Sequence, residues 1–226
     1  MNIKSIEFKQ LLATMTDLAE NYIAYSPSQI ARGDHLKHDP TQGEHAWSIP
    51  ETTGRFLYNT IIKLGCTTGL ELGTSIGYST MWIMAAFSEN SKDSTLITIE
   101  QSVKKYELAQ ENLKPLFGDS IEFHNKVIKE YLPTLSINRT FDFIFMDADR
   151  GNYFEYWNYI KKFLNKKSIV IIDNALRAQK SVTDFQNYLK SDLSLSIYLH
   201  PIDNGLFIVS LSNGDYSDLH SVFSHN

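Results

Sequence analysis

Short apolar runs alternate with longer segments of helical periodicity through most of the chain. The apolar runs lie at 69–73, 95–100, 120–126, 141–147 and 167–173, and the helical patterns lie at 78–88, 102–117, 128–135, 152–164 and 180–191. Short apolar strands separated by helices of this length are typical of a parallel sheet that helices cover on both faces. The pattern therefore predicts an α/β fold of Rossmann-like type.

Two further apolar runs close the pattern near the C-terminus, at 193–202 and 205–211. They lie too close together for a crossover helix, so we predict an antiparallel hairpin at the edge of the sheet. With the five parallel strands, this gives a mostly parallel seven-stranded sheet.

The first 50 residues follow a different pattern. Residues 5–24 place apolar side chains at helical spacing, which predicts an amphipathic helix covering either the main domain or a second subunit. Residues 26–50 are rich in Gly, Pro, His and Asp and are expected to form an irregular, lid-like segment. We therefore expect one domain over residues 1–226, with 1–50 as helix and lid and 51–226 as the catalytic core.

Composition narrows the class of partner. The 226 residues contain no apolar run that approaches the roughly 20 residues of a membrane span, and the N-terminus does not have the pattern of a signal peptide. The formal net charge of −5 argues against a broad nucleic-acid-binding surface. We expect a cytoplasmic protein that acts on a small molecule and binds neither nucleic acid nor membrane.

The residues that follow the first two strands predict a nucleotide-like cofactor. The first strand leads into Gly73 and Gly77 in a G-x-x-x-G spacing, which would let backbone approach a ligand at a helix N-terminus. The dinucleotide fingerprint needs a glycine where Ser75 stands, so an adenosyl amino acid fits better than a dinucleotide. Glu100, at the end of the second strand, would accept ribose hydroxyls. A tight turn without any ligand is the alternative for the glycine pair.

Three oxygen-bearing side chains follow the fourth and fifth strands. Asp147, Asp173 and Asn174 should lie close together, because adjacent parallel strands end at the same edge of the sheet. Such ligands suit a hard divalent cation, Mg²⁺ first and Mn²⁺ or Ca²⁺ as alternatives, which would lower the pKa of a bound acceptor hydroxyl. Each aspartate alone could equally be a helix cap.

Four segments, LELGTSIGYSTMWIM, TIE, FDFIFMDADRGNYFEYW and IVIIDNA, resemble the catechol and caffeoyl-CoA O-methyltransferase family, including its bacterial members. The likeness runs from about Ile49 to Leu211 and implies a class I methyltransferase domain that uses S-adenosylmethionine. The predicted cofactor-binding positions are Ile49, Glu71, Gly73, Thr74, Ser79, Glu100, Val127, Asp147 and Asp149.

The chain departs from that family at two points. Lys126, Val127 and Ile128 stand where the family offers a small or acidic residue near the adenine. Arg150 stands where catechol-type members have a lysine that takes the acceptor's proton, and an arginine cannot act as that base. Asp147 and Arg150 are the predicted catalytic residues; Arg150 would clamp an anionic acceptor, leave deprotonation to metal, water or another group, or simply form a surface ion pair.

The sequence thus predicts an S-adenosylmethionine-dependent, metal-dependent O-methyltransferase that acts on a small, catechol-like hydroxylated aromatic. Metal-independent methylation of another nucleophile is the first alternative, and an NAD-binding oxidoreductase is the second. From the apolar face of the N-terminal helix and the habit of the family, we also expect a homodimer.

Overall fold

The computed structural model describes residues 2–24, 44–177 and 179–223. Its helices are α1 (Ile6–Asn21), α2 (Glu51–Leu64), α3 (Tyr78–Asn90), α4 (Val103–Phe117), α5 (Ile128–Tyr131), α6 (Tyr153–Ile160), α7 (Lys180–Ser191) and α8 (Leu219–Phe223). Its strands are β1 (Ile23–Ala24), β2 (Glu44–His45), β3 (Thr68–Leu72), β4 (Thr95–Glu100), β5 (Ile121–Asn125), β6 (Phe143–Met146), β7 (Ile169–Ile172), β8 (Leu195–His200) and β9 (Leu206–Leu211). In these residues, no helix is long and apolar enough to cross a membrane.

Seven strands form one sheet in the order β5-β4-β3-β6-β7-β9-β8. Strands β3 to β7 pair in parallel, whereas β9 pairs antiparallel with both β7 and β8. The central strands β6 and β7 are buried along their whole length, as expected when helices cover both faces. The predicted mostly parallel seven-stranded sheet with an antiparallel edge hairpin is confirmed.

Strand β6 shows how the sheet separates two cores. Phe143 and Phe145 point into a core that α1 to α4 and α8 complete, while Ile144 and Met146 point into a second core that α5 to α7 complete. The alternation follows from the two-residue period of side chains along a strand. Strand β6 thus contributes apolar side chains to both faces of the sheet.

The N-terminal helix covers its own domain. Phe8, Leu11 and Met15 are buried, and the Phe8 ring lies 5.1 Å from that of Trp82 in α3, edge to face. The helix therefore contacts the main domain, one of the two partners that the sequence left open for it. The helix ends at Asn21, and β1 and β2, which the sequence analysis missed, form a two-stranded ribbon. Residues 25–43 of the predicted lid lie outside the described residues.

Two predicted helices are shorter than expected. The segment 128–135 forms α5 and then the 3₁₀ turn Leu132–Thr134, where Pro133 lacks the backbone donor that would continue the helix. The segment 152–164 forms α6 between the 3₁₀ turns Arg150–Asn152 and Lys161–Phe163. Helix α8, five residues long, was also missed because it is too short to show a period.

Candidate active site

A cavity of about 850 Å³ opens at the carboxyl ends of β3, β4, β6 and β7, where ligands bind in open parallel sheets. We call the part next to β3 and β4 the cofactor end and the part next to β6 and β7 the acceptor end. Most of the predicted site residues line this single cavity: Ile49, Gly73, Thr74, Ser79, Glu100, Val127, Asp147, Asp149, Arg150, Asp173 and Asn174. Glu71 is the exception and lies behind the wall.

Gly73 allows the first loop to pass close to the neighbouring strand end. Its φ is +98°, and a Cβ added there would lie 2.1 Å from the carbonyl oxygen of Asp147. Gly77, also at positive φ, precedes α3, but its added Cβ would meet Leu113 of α4 at 2.7 Å. Gly73 lines the cavity, whereas Gly77 does not. The missing side chain of Gly77 thus makes room for helix packing, whereas the approach of its backbone to a ligand stays a prediction.

Glu71 supports the cofactor end of the cavity without lining it. Its side chain is fully buried and accepts hydrogen bonds of 2.6 Å each from the hydroxyls of Ser79, Thr80 and Thr98. Burial raises the pKa of the Glu71 carboxyl, and these three donors oppose that rise by favouring the charged form. Only Ser79 among the three donors lines the cavity, so Ser79 is the direct link between Glu71 and the cavity, while Thr98 is hydrogen-bonded to the lining residue Thr74.

Glu100 is oriented by two backbone amides. Its Oε2 accepts from the amide of Ser75 at 2.9 Å, and its Oε1 accepts from the amide of Ser102 at 2.8 Å. Each carboxylate oxygen keeps a further lone pair, because an ionised carboxylate accepts about four hydrogen bonds in all. The acid therefore stands fixed at the cavity wall with capacity for additional donors.

Some lining residues escaped sequence reasoning. Lys105 is buried, and its ammonium lies 4.6 Å from the ring centroid of Trp47, which follows β2 and is 72% exposed. Ser75 Oγ donates to the carbonyl of Ala46 and so ties the same segment to the glycine loop. Lys105 was missed because it belongs to a helix of mixed charge, where a lysine normally points to solvent. The aromatic Trp47 beside the predicted Ile49 was the one available signal.

The three predicted metal ligands converge at the acceptor end. The amide nitrogen of Asn174 donates to Asp147 Oδ1 at 3.0 Å and to Asp173 Oδ2 at 3.2 Å. Asp173 and Asn174 are buried, and Asn174 adopts a positive φ of 63°. Burial is the main reason that the pKa of each carboxyl is raised, and the charge of Asp173 raises the pKa of Asp147 further, while Arg150 lowers both.

These three side chains carry the type of donor atom that a hard cation prefers. Two carboxylates and an amide are oxygen donors of the sort that Mg²⁺ and Ca²⁺ take, and a cation would relieve the mutual repulsion of the acids. In the arrangement described, the amide of Asn174 presents its nitrogen to both carboxylates, and its oxygen accepts from Arg177 Nε at 3.3 Å, so the amide would have to turn for that oxygen to join the acids around a cation. Within the described ranges, no group of three His, Cys, Asp or Glu side chains is disposed around a metal position.

The segment after β6 supplies the rest of the acceptor end. Asp149 is exposed and accepts from the Gly151 amide at 3.0 Å and the Asn152 side chain at 2.7 Å, so it shapes the 3₁₀ turn as well as lining the cavity. Arg150 is half-buried in the same lining. Of the aromatic side chains at the start of α6, Tyr156 lines the cavity.

Comparison with known proteins identifies related sequences. The model of the O-methyltransferase family matches residues 35–210, more than half of the chain. O-methyltransferase imqG of Aspergillus flavus is 26% identical over 185 residues, which are 79% of this chain and 72% of that protein. Catechol O-methyltransferase of Niastella koreensis is 30% identical over 141 residues, and the match covers 61% of this chain and 62% of the relative, less than two thirds of either.

Solved structures share the fold. The S-adenosylhomocysteine-bound methyltransferase PaMTH1 of Podospora anserina superposes with a TM-score of 0.66 at 18% identity, over 93% of this chain and 99% of that one. The S-adenosylmethionine complex of the O-methyltransferase TomG of Streptomyces achromogenes gives 0.66 at 20% identity, over 92% and 99%. At these identities the likeness concerns the fold.

Proposed function

The chain belongs to the O-methyltransferase family, and from this membership we propose that it transfers a methyl group from S-adenosylmethionine to a hydroxyl of a small, catechol-like aromatic. We further propose that Asp147, Asp173 and Asn174 hold a divalent cation for this reaction. The observation that carries the proposal is the convergence of Asn174 on both acids, at one end of a cavity whose other end holds an oriented Glu100.

The cofactor end supports the choice of methyl donor. Glu100, fixed by two backbone amides, presents free lone pairs of the kind that vicinal ribose hydroxyls require. The loop that begins at Gly73 and includes Thr74 lies beside it, with Ser79 in the first turn of the next helix. The PaMTH1 and TomG structures contain S-adenosylhomocysteine and S-adenosylmethionine, and the present chain shares their fold. We assign Ile49, Val127 and Asp149 to the same ligand because they line the cavity.

The acceptor end supports transfer to an activated hydroxyl. When bound, a divalent cation supplies Lewis acidity that makes a neighbouring hydroxyl easier to deprotonate. Asp147 and Asp173 would bind this cation, and the ring of Tyr156 would pack against the aromatic ring of the acceptor. Arg150 stays protonated and is excluded as the general base, so its contribution is electrostatic.

Metal-independent methylation is the second candidate, and one observation favours it. The Asn174 amide already bridges the acid pair, and Arg150 lowers the pKa of both acids, so the pair is partly stabilised by protein groups alone. This alternative predicts turnover that a chelator does not reduce. The NAD-dependent alternative rested only on the alternation of strands and helices and on Glu100. Membership of the O-methyltransferase family accounts for both features.

Calorimetric titration of Mg²⁺ into protein saturated with S-adenosylhomocysteine tests the proposal. The native chain should bind Mg²⁺ saturably, Asp173→Ala should lose that binding, and Asp119→Ala, which removes an exposed acid far from the cavity, should keep it. Chelator should then abolish methylation of catechol by the native chain. Normal binding of the cofactor product without any Mg²⁺ binding would reject the metal and favour the second candidate.

We also propose that the protein works as a homodimer in the cytoplasm on a small-molecule acceptor. The N-terminal helix packs on its own domain, so an interface would use what that helix leaves exposed, including Ile6, which is 70% exposed. A monomer in sedimentation at micromolar concentration would reject the dimer.

A further inference from the structure

The arginines in the described parts of the chain fall into two groups. Arg55 pairs with Glu51 at 2.6 Å, and Arg139 pairs with Glu122 at 3.0 Å, both at the surface. Arg150 and Arg177 line the acceptor end, and neither forms an ion pair with any described residue. The two guanidinium groups that line the cavity are thus the ones without a carboxylate at ion-pair distance among the described residues, although the charge of Arg150 acts on Asp147 and Asp173 from farther away.

Arg150 is the less solvated of the two. It is half-buried in the turn Arg150–Asn152, and in the described structure its guanidinium has no side-chain hydrogen bond. Arg177 is exposed at the mouth and donates from Nε to the Asn174 amide oxygen at 3.3 Å. Withdrawing a guanidinium from water without partners is unfavourable, so a half-buried one is expected to meet an anion when the site is filled.

A charge count over the cavity favours an anionic acceptor. The basic and acidic side chains among the described lining residues are equal in number: Lys105, Lys129, Arg150 and Arg177 against Glu100, Asp147, Asp149 and Asp173. The divalent cation of the proposed function would therefore leave an excess of positive charge. An acceptor that has lost one hydroxyl proton and carries one carboxylate would bring two negative charges to offset it.

We propose that Arg150, assisted by Arg177 at the mouth, binds a carboxylate of the methyl acceptor, so that the substrate class is the hydroxylated aromatic carboxylic acids. This inference rests on the proposed function. A guanidinium suits the role because its planar fork donates two parallel hydrogen bonds to a carboxylate. A catechol without a carboxylate would bring only the single negative charge of its ionised hydroxyl and would offer no planar acceptor to the guanidinium fork.

The test compares two acceptors that differ in charge but little in shape, 3,4-dihydroxybenzoate and 3,4-dihydroxybenzamide. The ratio of their kcat/KM values isolates the carboxylate, because any general loss of activity cancels. The native chain should prefer the benzoate by about tenfold, through KM, as a charge-assisted hydrogen bond provides. Arg150→Gln should bring the ratio to about one, Arg177→Gln to about three, and Arg150→Lys, which keeps the charge without the fork, to about three.

Arg139→Gln is the matched control, because it removes a guanidinium outside the cavity and should leave the ratio unchanged. A native ratio of one, or a ratio of ten that persists in Arg150→Gln, would overturn the inference while methyl transfer itself stands. If neither acceptor is methylated, the proposed function fails, and calorimetry on protein loaded with S-adenosylhomocysteine and Mg²⁺ decides the inference separately. Tighter binding of the benzoate that Arg150→Gln loses would support it, and no such preference would overturn it.

Discussion

The two ends of the cavity differ in how far the protein satisfies its own polar groups. At the cofactor end, Glu71 has three hydroxyl donors and Glu100 has two backbone amides. At the acceptor end, Asp147 and Asp173 share one amide group, and two arginines form no ion pair with any described residue. Protein groups hold both acids of the cofactor end in place, whereas the acceptor end carries charges that ligands would balance.

This difference indicates two ways to recognise a ligand. A fully hydrogen-bonded framework holds its geometry before the ligand arrives, so less order is lost on binding. Unbalanced charges in a partly buried site raise the free energy of the empty form, and the ligand that balances them gains affinity and selectivity. Changes of geometry should therefore weaken ligand binding at the cofactor end, and changes of charge should weaken it at the acceptor end.

The largest expected effect comes from a methyl group placed in the cofactor end. Gly73→Ala would bring a Cβ to 2.1 Å from the carbonyl oxygen of Asp147, at a φ of +98°. Because the atom that the Cβ meets belongs to the backbone, the loop has to move. We expect S-adenosylhomocysteine to bind at least about a hundredfold more weakly, with a loss of about 3 kcal/mol in the free energy of unfolding. Calorimetry and urea denaturation measure the two quantities.

Gly65→Ala provides the control for backbone strain alone. Gly65 has a φ of +68° at the end of α2, and an added Cβ would have nothing within 4 Å. This variant should lose about 1 kcal/mol of stability and none of its affinity. Equal loss of affinity in both variants would show that the close approach at Gly73 is unimportant and that the cofactor end is less rigid than we argue.

The framework was predictable from the sequence because it follows from periodicity. Strand ends are located by where an apolar run stops, and that alone brought Gly73, Glu100, Asp147 and Asp173 to one edge of the sheet. Lys105 and Trp47 were not predictable, because their contact depends on how a segment far away in sequence folds back over α4. Sequence patterns report on single elements, and contacts between elements remote in the chain leave no local signal.

The hydrogen bonds around Glu71 illustrate the same limit. The sequence predicted Glu71 as a ligand of the cofactor because its position at a strand end matched a motif, but the side chain is buried and does not line the cavity. Which face a strand-end side chain takes depends on the final residues of β3, where a shift of one residue reverses the side. It was therefore easier to predict that an acid lies at this strand end than to predict whether its side chain lines the cavity.

Two hydroxyls on the same carboxylate allow a sharper test of the cofactor end. Ser79 and Thr80 each donate a 2.6 Å hydrogen bond to Glu71, but only Ser79 lines the cavity. Ser79→Ala and Thr80→Val should each lower the free energy of unfolding by about 1–3 kcal/mol, since each leaves a buried carboxylate oxygen with one donor fewer. Only Ser79→Ala should also weaken binding of S-adenosylhomocysteine, by about tenfold.

Calorimetric titration of S-adenosylhomocysteine into both variants separates the effect of lining the cavity from the effect of lost stability. If Thr80→Val weakens binding as much as Ser79→Ala does, the Glu71 framework acts on the cofactor as a whole, and the cavity lining is not what selects the ligand. If neither weakens binding, Ser79 is a structural residue, and the predicted cofactor site loses one of its members.

The smallest expected effect concerns the charge of the acceptor end without ligands. Burial first, and the charge of Asp173 second, raise the pKa of Asp147 above its ordinary value of 3.8. A carboxyl with a raised pKa in the folded state binds more protons folded than unfolded, so the free energy of unfolding falls as pH rises from about 4 through the raised pKa. With metal chelated, Asp147→Asn should therefore equal the native chain near pH 4 and exceed its stability by about 1 kcal/mol at pH 8.

Urea denaturation at the two pH values measures this difference, and Asp119→Asn, which neutralises an exposed acid, should show none. Adding Mg²⁺ at pH 8 should stabilise the native chain and not Asp147→Asn, because binding to the folded state alone shifts the equilibrium. A variant equally stabilised at both pH values would mean that side-chain packing, and not charge, is relieved by the change. The acceptor end would then be as self-contained as the cofactor end, and the contrast between them would fail.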